Sequence, residues 1–190
     1  MIHLIYRSSG SGKSRFAVNY CEKYKEKYSS RPQYLFSCLE KDEALDKLKY
    51  IKRVKLDKML ENDIELDDLK DSLCIFDDIE AIENKVILAK INNLMHRILT
   101  MGRHTNTSII FCKHIACDQK KTQDILNESH VTVLFPHSGS KGPLRNLLER
   151  HLGCTNEQIQ QIKEADSDWV AVTRSSPPIV YHECGAFILD

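Results

Sequence analysis

Between residues 8 and 14 the chain reads Ser8-Ser9-Gly10-Ser11-Gly12-Lys13-Ser14, one residue after the apolar stretch His3–Tyr6. Two glycines, a lysine and a hydroxyl at this spacing can do one kind of chemistry well, the holding of a polyphosphate. Successive backbone N–H groups turned inward at a helix start form a positive nest, a lysine meets the outer phosphates, and a hydroxyl holds a divalent cation. Gly10 and Gly12 supply the turns, Lys13 the charge and Ser14 the hydroxyl, with Ser9, Ser11 and Arg15 completing the expected nucleotide-binding set. The strict spacing G-x-x-x-x-G-K-[ST] asks for glycine where Arg7 stands. That position closes the strand rather than facing phosphate, so the replacement costs backbone freedom more than ligand contacts.

A second cluster follows the apolar run Leu73-Cys74-Ile75-Phe76, which ends in Asp77-Asp78-Ile79-Glu80. A run that is apolar throughout suits a central parallel strand buried on both faces. In a parallel sheet whose ligand sits at the carboxyl ends of the strands, Asp77 reaches the magnesium that Ser14 also holds. Asp78 then orients or deprotonates an attacking water, with Glu80 as its rival. The bland alternative is that these acids merely open the next helix, whose dipole favours them. Two further groups are candidates for a hydrolytic site: Arg103 for a transition-state positive charge and His114 as a polar group facing the terminal phosphate. Each also has an ordinary reading, as a cation at a helix C-terminus and a polar cap at a strand end.

These residues need a frame, and the apolar pattern supplies one. Short strand-like runs alternate with helix-period segments, the signature of a mainly parallel α/β sheet flanked by helices. Strands are expected at His3–Tyr6, Tyr34–Cys38, Leu73–Phe76, Ser108–Cys112 and Val131–Phe135, with a basic extended segment over Tyr50–Leu56. Helices are expected from Lys13 to about Tyr28, over Asp42–Leu48, from Ile82 to Leu99 with Gly102 as its stop, around Asp118–Asn127, and over Leu144–Leu152. Thr155 with Gln158 reads as a capping box, and the tail alternates like an antiparallel β-hairpin turned at Ser175-Ser176-Pro177-Pro178. No internal repeat or linker interrupts this order, so residues 1–190 are expected to form a single domain.

Composition narrows the partners. With 27 basic and 27 acidic residues the formal charge is zero, so any nucleic-acid contact must be local or built by several copies together. The candidates are the stretch Lys47, Lys49, Lys52, Arg53, Lys55 and Lys58, and the loop carrying Lys141 and Arg145, though for either stretch taken alone a solvated face is the favoured reading. Neither a signal peptide nor a membrane-length apolar run is read, and the seven scattered cysteines read as reduced thiols. Cys112, His114 and Cys117 lie close together but lack a second ligand pair, which favours ordinary cysteine over a metal site.

Taken together, "SSGSGKS", "YLFSCLEKDEALDKLK", "CIFDDIE", "GRHTNTSIIFCKH" and "RNLLERHLG" resemble the genome-packaging ATPases of large DNA viruses, poxvirus-type, within the FtsK/HerA group of P-loop NTPases. The match touches most of the chain, and its Gly-Arg-His element is more discriminating than the loop. The resemblance implies an additional-strand P-loop fold, a ring of six subunits, and ATP- and Mg2+-driven movement of double-stranded DNA into a viral capsid through a portal component. It implies work at the viral assembly site in the host cytoplasm and in the virion, without a membrane. Carried over, Lys13 and Ser14 bind phosphate and magnesium, Asp77 holds the metal, Asp78 activates water, and Arg103 resembles a finger offered to a neighbouring site, with Arg97 and Arg145 in reserve. The family often has glutamine where this chain has His114, and many relatives of the wider group carry glutamate where it has Asp78. Two other classes share the loop: a small-molecule kinase, which would need an arginine-rich lid, and a non-catalytic assembly switch that binds ATP to build a ring.

Overall fold

In a computed structural model the structure describes residues 1–6, 12–113, 125–137 and 141–189. The strands are β1 (Ile2–Tyr6), β2 (Gln33–Ser37), β3 (Ile51–Arg53), β4 (Leu73–Asp77), β5 (Ser108–Lys113), β6 (Val131–Leu134), β7 (Val170–Thr173), β8 (Ile179–His182) and β9 (Gly185–Ile188). The helices are α1 (Lys13–Lys27), α2 (Lys85–Met101), α3 (Lys141–Asn146) and α4 (Asn156–Glu164). The backbone gathers into two compact units, one comprising Met1–Ile2 and Gly12–Cys112, the other the remainder.

In the first unit the strand order is β3-β2-β4-β5, every pair parallel. Its centre is a row of three register partners, Phe36, Phe76 and Phe111. Their rings stack at 4.5 and 5.7 Å between centroids, and all three are at most 1% exposed. Offset aromatic stacking of this kind adds to the burial of each ring. Because side chains alternate along a strand, the next row, Ser37, Asp77 and Cys112, points to the opposite face. The Met1 carbonyl accepts from Ile109 N–H at 3.0 Å, so the start of the chain lies alongside β5, whose other neighbour is the acid-bearing β4. That is the additional-strand arrangement of a P-loop NTPase.

Helix α2 differs from its expected form at both ends. Ile82 lies outside it, in the exit of a 3-10 turn over Ile79–Ala81, and the helix starts after Asn84, whose Oδ1 accepts from Val86 and Ile87 N–H. Such caps satisfy N–H groups that have no partner in the helix. Val86, expected in the apolar stripe, is 54% exposed, while Ile87, Ile91, Leu94, Met95, Ile98 and Leu99 form the buried face. Gly102 is the cap, in ordinary helical geometry with φ −59. A Cβ there would sit 2.4 Å from the Ile98 carbonyl oxygen, so a close approach rather than a left-handed turn demands glycine. The expected helix over Asp42–Leu48 shrinks to the 3-10 turn Leu45–Lys47, where the Asp42 carboxylate accepts from Ala44 and Leu45 N–H and competes with a regular helix.

In the second unit β1 pairs parallel with β6, and β6-β7-β8-β9 continue antiparallel. The expected hairpin is therefore the β7–β8 pair of a longer meander. The helix expected over Leu144–Leu152 is α3 followed by a wider π-turn at Leu147–His151, with Gly153 at φ 69 after it. The Thr155 and Gln158 capping box is present at the start of α4. Of the helix expected around Asp118–Asn127, residues 114–124 lie outside the described residues and 125–128 are helical.

Candidate functional site

The site is built at the carboxyl ends of the parallel strands in the first unit. Gly12 precedes α1 with φ 96, a left-handed conformation that glycine adopts without a Cβ penalty. No side chain caps α1, its first turn carries no acid, and Lys25 and Lys27 sit in its last turn. In contrast to α2 and α4, which Asn84 and Thr155 cap, the N-cap residue of α1 is a glycine and makes no side-chain cap hydrogen bond, as at helix starts that receive an anion.

Lys13 is the first residue of this helix and is only 7% exposed. Burial pushes its ammonium below the ordinary lysine value, while the negative charges of Asp77, Asp78 and Glu80 act in the opposite direction. A buried lysine with carboxylates nearby suits a phosphate with its metal, which would place negative and positive charge between them. Asp77 ends β4 and is 5% exposed, with Ser37 and Cys112 as its register partners on either side. Cys112, fully buried, has its thiol pushed well up, first by burial and next by the Asp77 carboxylate. Asp78 follows in the left-handed region at φ 52 and is half-buried, and Glu80 is exposed in the 3-10 turn. Ser14 is half-buried and Arg15 exposed.

The structure brings Lys13, Asp77 and Asp78 together; of the two rival carboxylates Asp78 directly follows the strand end and is half-buried, and Glu80 is exposed. Ser9, Gly10, Ser11 and His114 lie outside the described residues, as do Arg7 and Cys117. Among the described residues no group of three or more His, Cys, Asp or Glu side chains that could hold a metal ion is present.

Arg103 is elsewhere. It sits in the exposed turn between α2 and β5, and that turn is fastened to the amino end of β4: Asp71 N–H donates to the Thr105 carbonyl at 2.9 Å, and Asn106 Nδ2 donates to Asp71 Oδ1 at 2.7 Å. Asp71 and Asp77 are separated by the length of β4, roughly 20 Å at the usual rise per residue. Arg103 therefore lies at the edge of the sheet opposite Lys13 of its own chain. The reserve arginines are engaged internally: Arg97 bonds Glu65 at 2.7 Å, and Arg145 bonds Asn156 Oδ1 at 2.6 Å and Glu149 at 3.5 Å. Of the basic stretch, Arg53 pairs with Asp46 at 2.7 Å, whereas Lys47, Lys49, Lys52, Lys55 and Lys58 are exposed.

One contact at the site has no local signal in the sequence. Cys38 Sγ donates to the Asp78 carbonyl at 3.1 Å, one step beyond the last rung of the β2–β4 ladder. Only the register of the two strands reveals it, and register is a long-range property.

A parallel sheet with a glycine-led, uncapped helix, a buried lysine and a strand-end aspartate defines the fold of a P-loop NTPase. The chain belongs to the family of the Sputnik virophage protein "Uncharacterized protein V3", to which it is 35% identical over 180 residues, 94% of this chain and 73% of that protein. No family model matches the sequence. Among solved structures the fold is similar to that of the DNA-packaging ATPase B204 of Sulfolobus turreted icosahedral virus, with TM-score 0.63 and 12% identity over 100% of this chain and 96% of that one. The B204 genome-packaging NTPase of Sulfolobus turreted icosahedral virus 2, in complex with ATP-gammaS, superposes with TM-score 0.60, also at 12% identity over 100% of this chain and 96% of that one. No described helix is long and apolar enough to cross a membrane.

Proposed function

We propose that the chain is an ATP-hydrolysing motor that packages viral double-stranded DNA, of the poxvirus-type branch of the FtsK/HerA group, and that residues 1–190 act as one P-loop ATPase domain. The observation that carries this reading is the burial of Lys13 against Asp77 and Asp78 at an uncapped helix start, in a fold similar to that of a DNA-packaging ATPase. Ser9, Gly10, Ser11 and Gly12 cradle the phosphates, Lys13 neutralises the outer ones, and Arg15 flanks the nucleotide. Ser14 and Asp77 would hold Mg2+, which supplies charge neutralisation on the phosphates when bound. Asp78 takes the proton of the attacking water, and His114 faces the terminal phosphate as a polar sensor.

Arg103 completes the site of a neighbour rather than its own, a role supported by its exposed place at the opposite sheet edge. Hydrolysis then requires a ring, for which we take six subunits. DNA lies in the ring's pore against the exposed lysines between Lys47 and Lys58, contacts that are sequence-independent and salt-sensitive. The motor works on a capsid or portal component at the assembly site in the host cytoplasm and is carried into the virion.

The test is phosphate release by purified protein with and without double-stranded DNA, alongside sizing with and without an ATP analogue. Assembly on nucleotide and DNA-stimulated turnover are expected. Phosphoryl transfer to a nucleoside would make it a kinase. Nucleotide-driven assembly without turnover would make it a switch.

A further inference from the structure

The backbone ladder between β2 and β4 ends at the pair Ser37 and Asp77. One residue further the two chains are joined through a side chain, the Cys38 thiol donating to the Asp78 carbonyl at 3.1 Å. The same carbonyl accepts from Ala81 N–H at 3.2 Å, so donors from two different segments converge on it. Asp78 itself is held at φ 52, ψ 32, a region that residues with a Cβ occupy sparingly and that persists where the surroundings over-determine it. The peptide that follows Asp78 therefore fixes where its Cα–Cβ bond points.

We propose that Cys38 is a positioning residue for Asp78: by donating its thiol proton to the Asp78 carbonyl it holds this aspartate in the left-handed conformation that aims the carboxylate toward the bound nucleotide. The proposal rests on the reading of Asp78 as the group that activates water. The thiol is suited to the task at neutral pH, because burial and then the Asp78 carboxylate push its titration up and keep the proton on sulfur. Serine can make the same bond with a shorter reach, and alanine cannot make it.

Cys38→Ala and Cys38→Ser in the full chain, compared by amide hydrogen exchange and by steady-state ATPase kinetics, test the inference. In Cys38→Ala the Ala81 amide should exchange about tenfold faster as the turn loosens. Its kcat should fall about 10- to 100-fold, as for an ångström-scale misplacement of a reacting group, with KM little changed. Cys38→Ser should recover most of both. Wild-type exchange and kcat in Cys38→Ala would overturn the proposal, as would equal losses in both variants. Should the wild-type chain turn over no ATP while Ala81 still responds, the ATPase reading fails and the catalytic use of this bond with it. The bond's hold on Asp78 would then stand confirmed by exchange.

Discussion

Arg103 and Asp77 stand at opposite ends of the β4–β5 strand pair, the first in the turn that leads into β5 and the second at the carboxyl end of β4. An arginine so placed cannot reach the phosphate of its own loop, and any catalytic use of it must come from another copy. Arg103→Ala and Lys13→Ala should therefore each lower turnover about a thousand-fold. Mixed in equal amounts, the two should regain a substantial fraction of it. An Arg103→Ala subunit has an intact loop, and a Lys13→Ala neighbour has an intact arginine to lend. Mixing that restores nothing would place the finger elsewhere.

The two aspartates at the end of β4 should separate binding from chemistry. Asp77 is buried beside Lys13, and replacing it by asparagine removes the carboxylate that would hold magnesium. Asp77→Asn should weaken Mg-nucleotide binding as well as turnover. Asp78→Asn should keep nucleotide affinity and lose about 100- to 10,000-fold in kcat, the usual worth of a general base. Fluorescent-nucleotide titration beside a phosphate-release assay distinguishes the two.

How much of this was legible in the chain depends on the range of the interaction responsible. The strand at residues 3 to 6, the helix that begins at Lys13, the buried strand into Asp77 and the Thr155 capping box are local patterns, and the structure has them within a residue or so. The start of α2 differs from its expected place because Ile82 and Val86 keep helical spacing with the buried stripe, while the Asn84 cap that sets the boundary is a polar residue outside that pattern. Periodicity predicts a helix where the short turn Leu45–Lys47 stands, because Asp42's hold on two backbone N–H groups leaves no mark on the apolar spacing. The site's acids and lysine came from spacing alone. Cys38 did not, since only the pairing of β2 with β4 brings it to Asp78.

Gly102 should resist replacement for a steric reason. Gly102→Ala pushes a methyl to 2.4 Å from the Ile98 carbonyl oxygen, backbone that cannot yield without opening the end of α2. The expected cost is about 1–3 kcal/mol, typical of overpacking. The turn carrying Arg103 should shift with it. Denaturant unfolding reads the first effect, and loss of ring-dependent turnover beyond that expected from stability reads the second.

Acid should destabilise the second unit through His3. This residue is 6% exposed in β1, and burial lowers its pKa from 6.5 to about 4. Between those two values the unfolded chain takes up a proton that the folded chain refuses, so the unfolded state binds more protons and stability rises with pH. The contribution is complete above about pH 6.5 and is lost progressively as pH falls to about 4, a total of about 3 kcal/mol. Carboxylates titrate in part of the same window, so the comparison must be between variants. His3→Gln removes the titration, and its unfolding free energy should fall less than that of the wild-type chain between pH 7 and pH 4. Parallel pH profiles for the two chains would show that His3 accepts its proton without leaving β1.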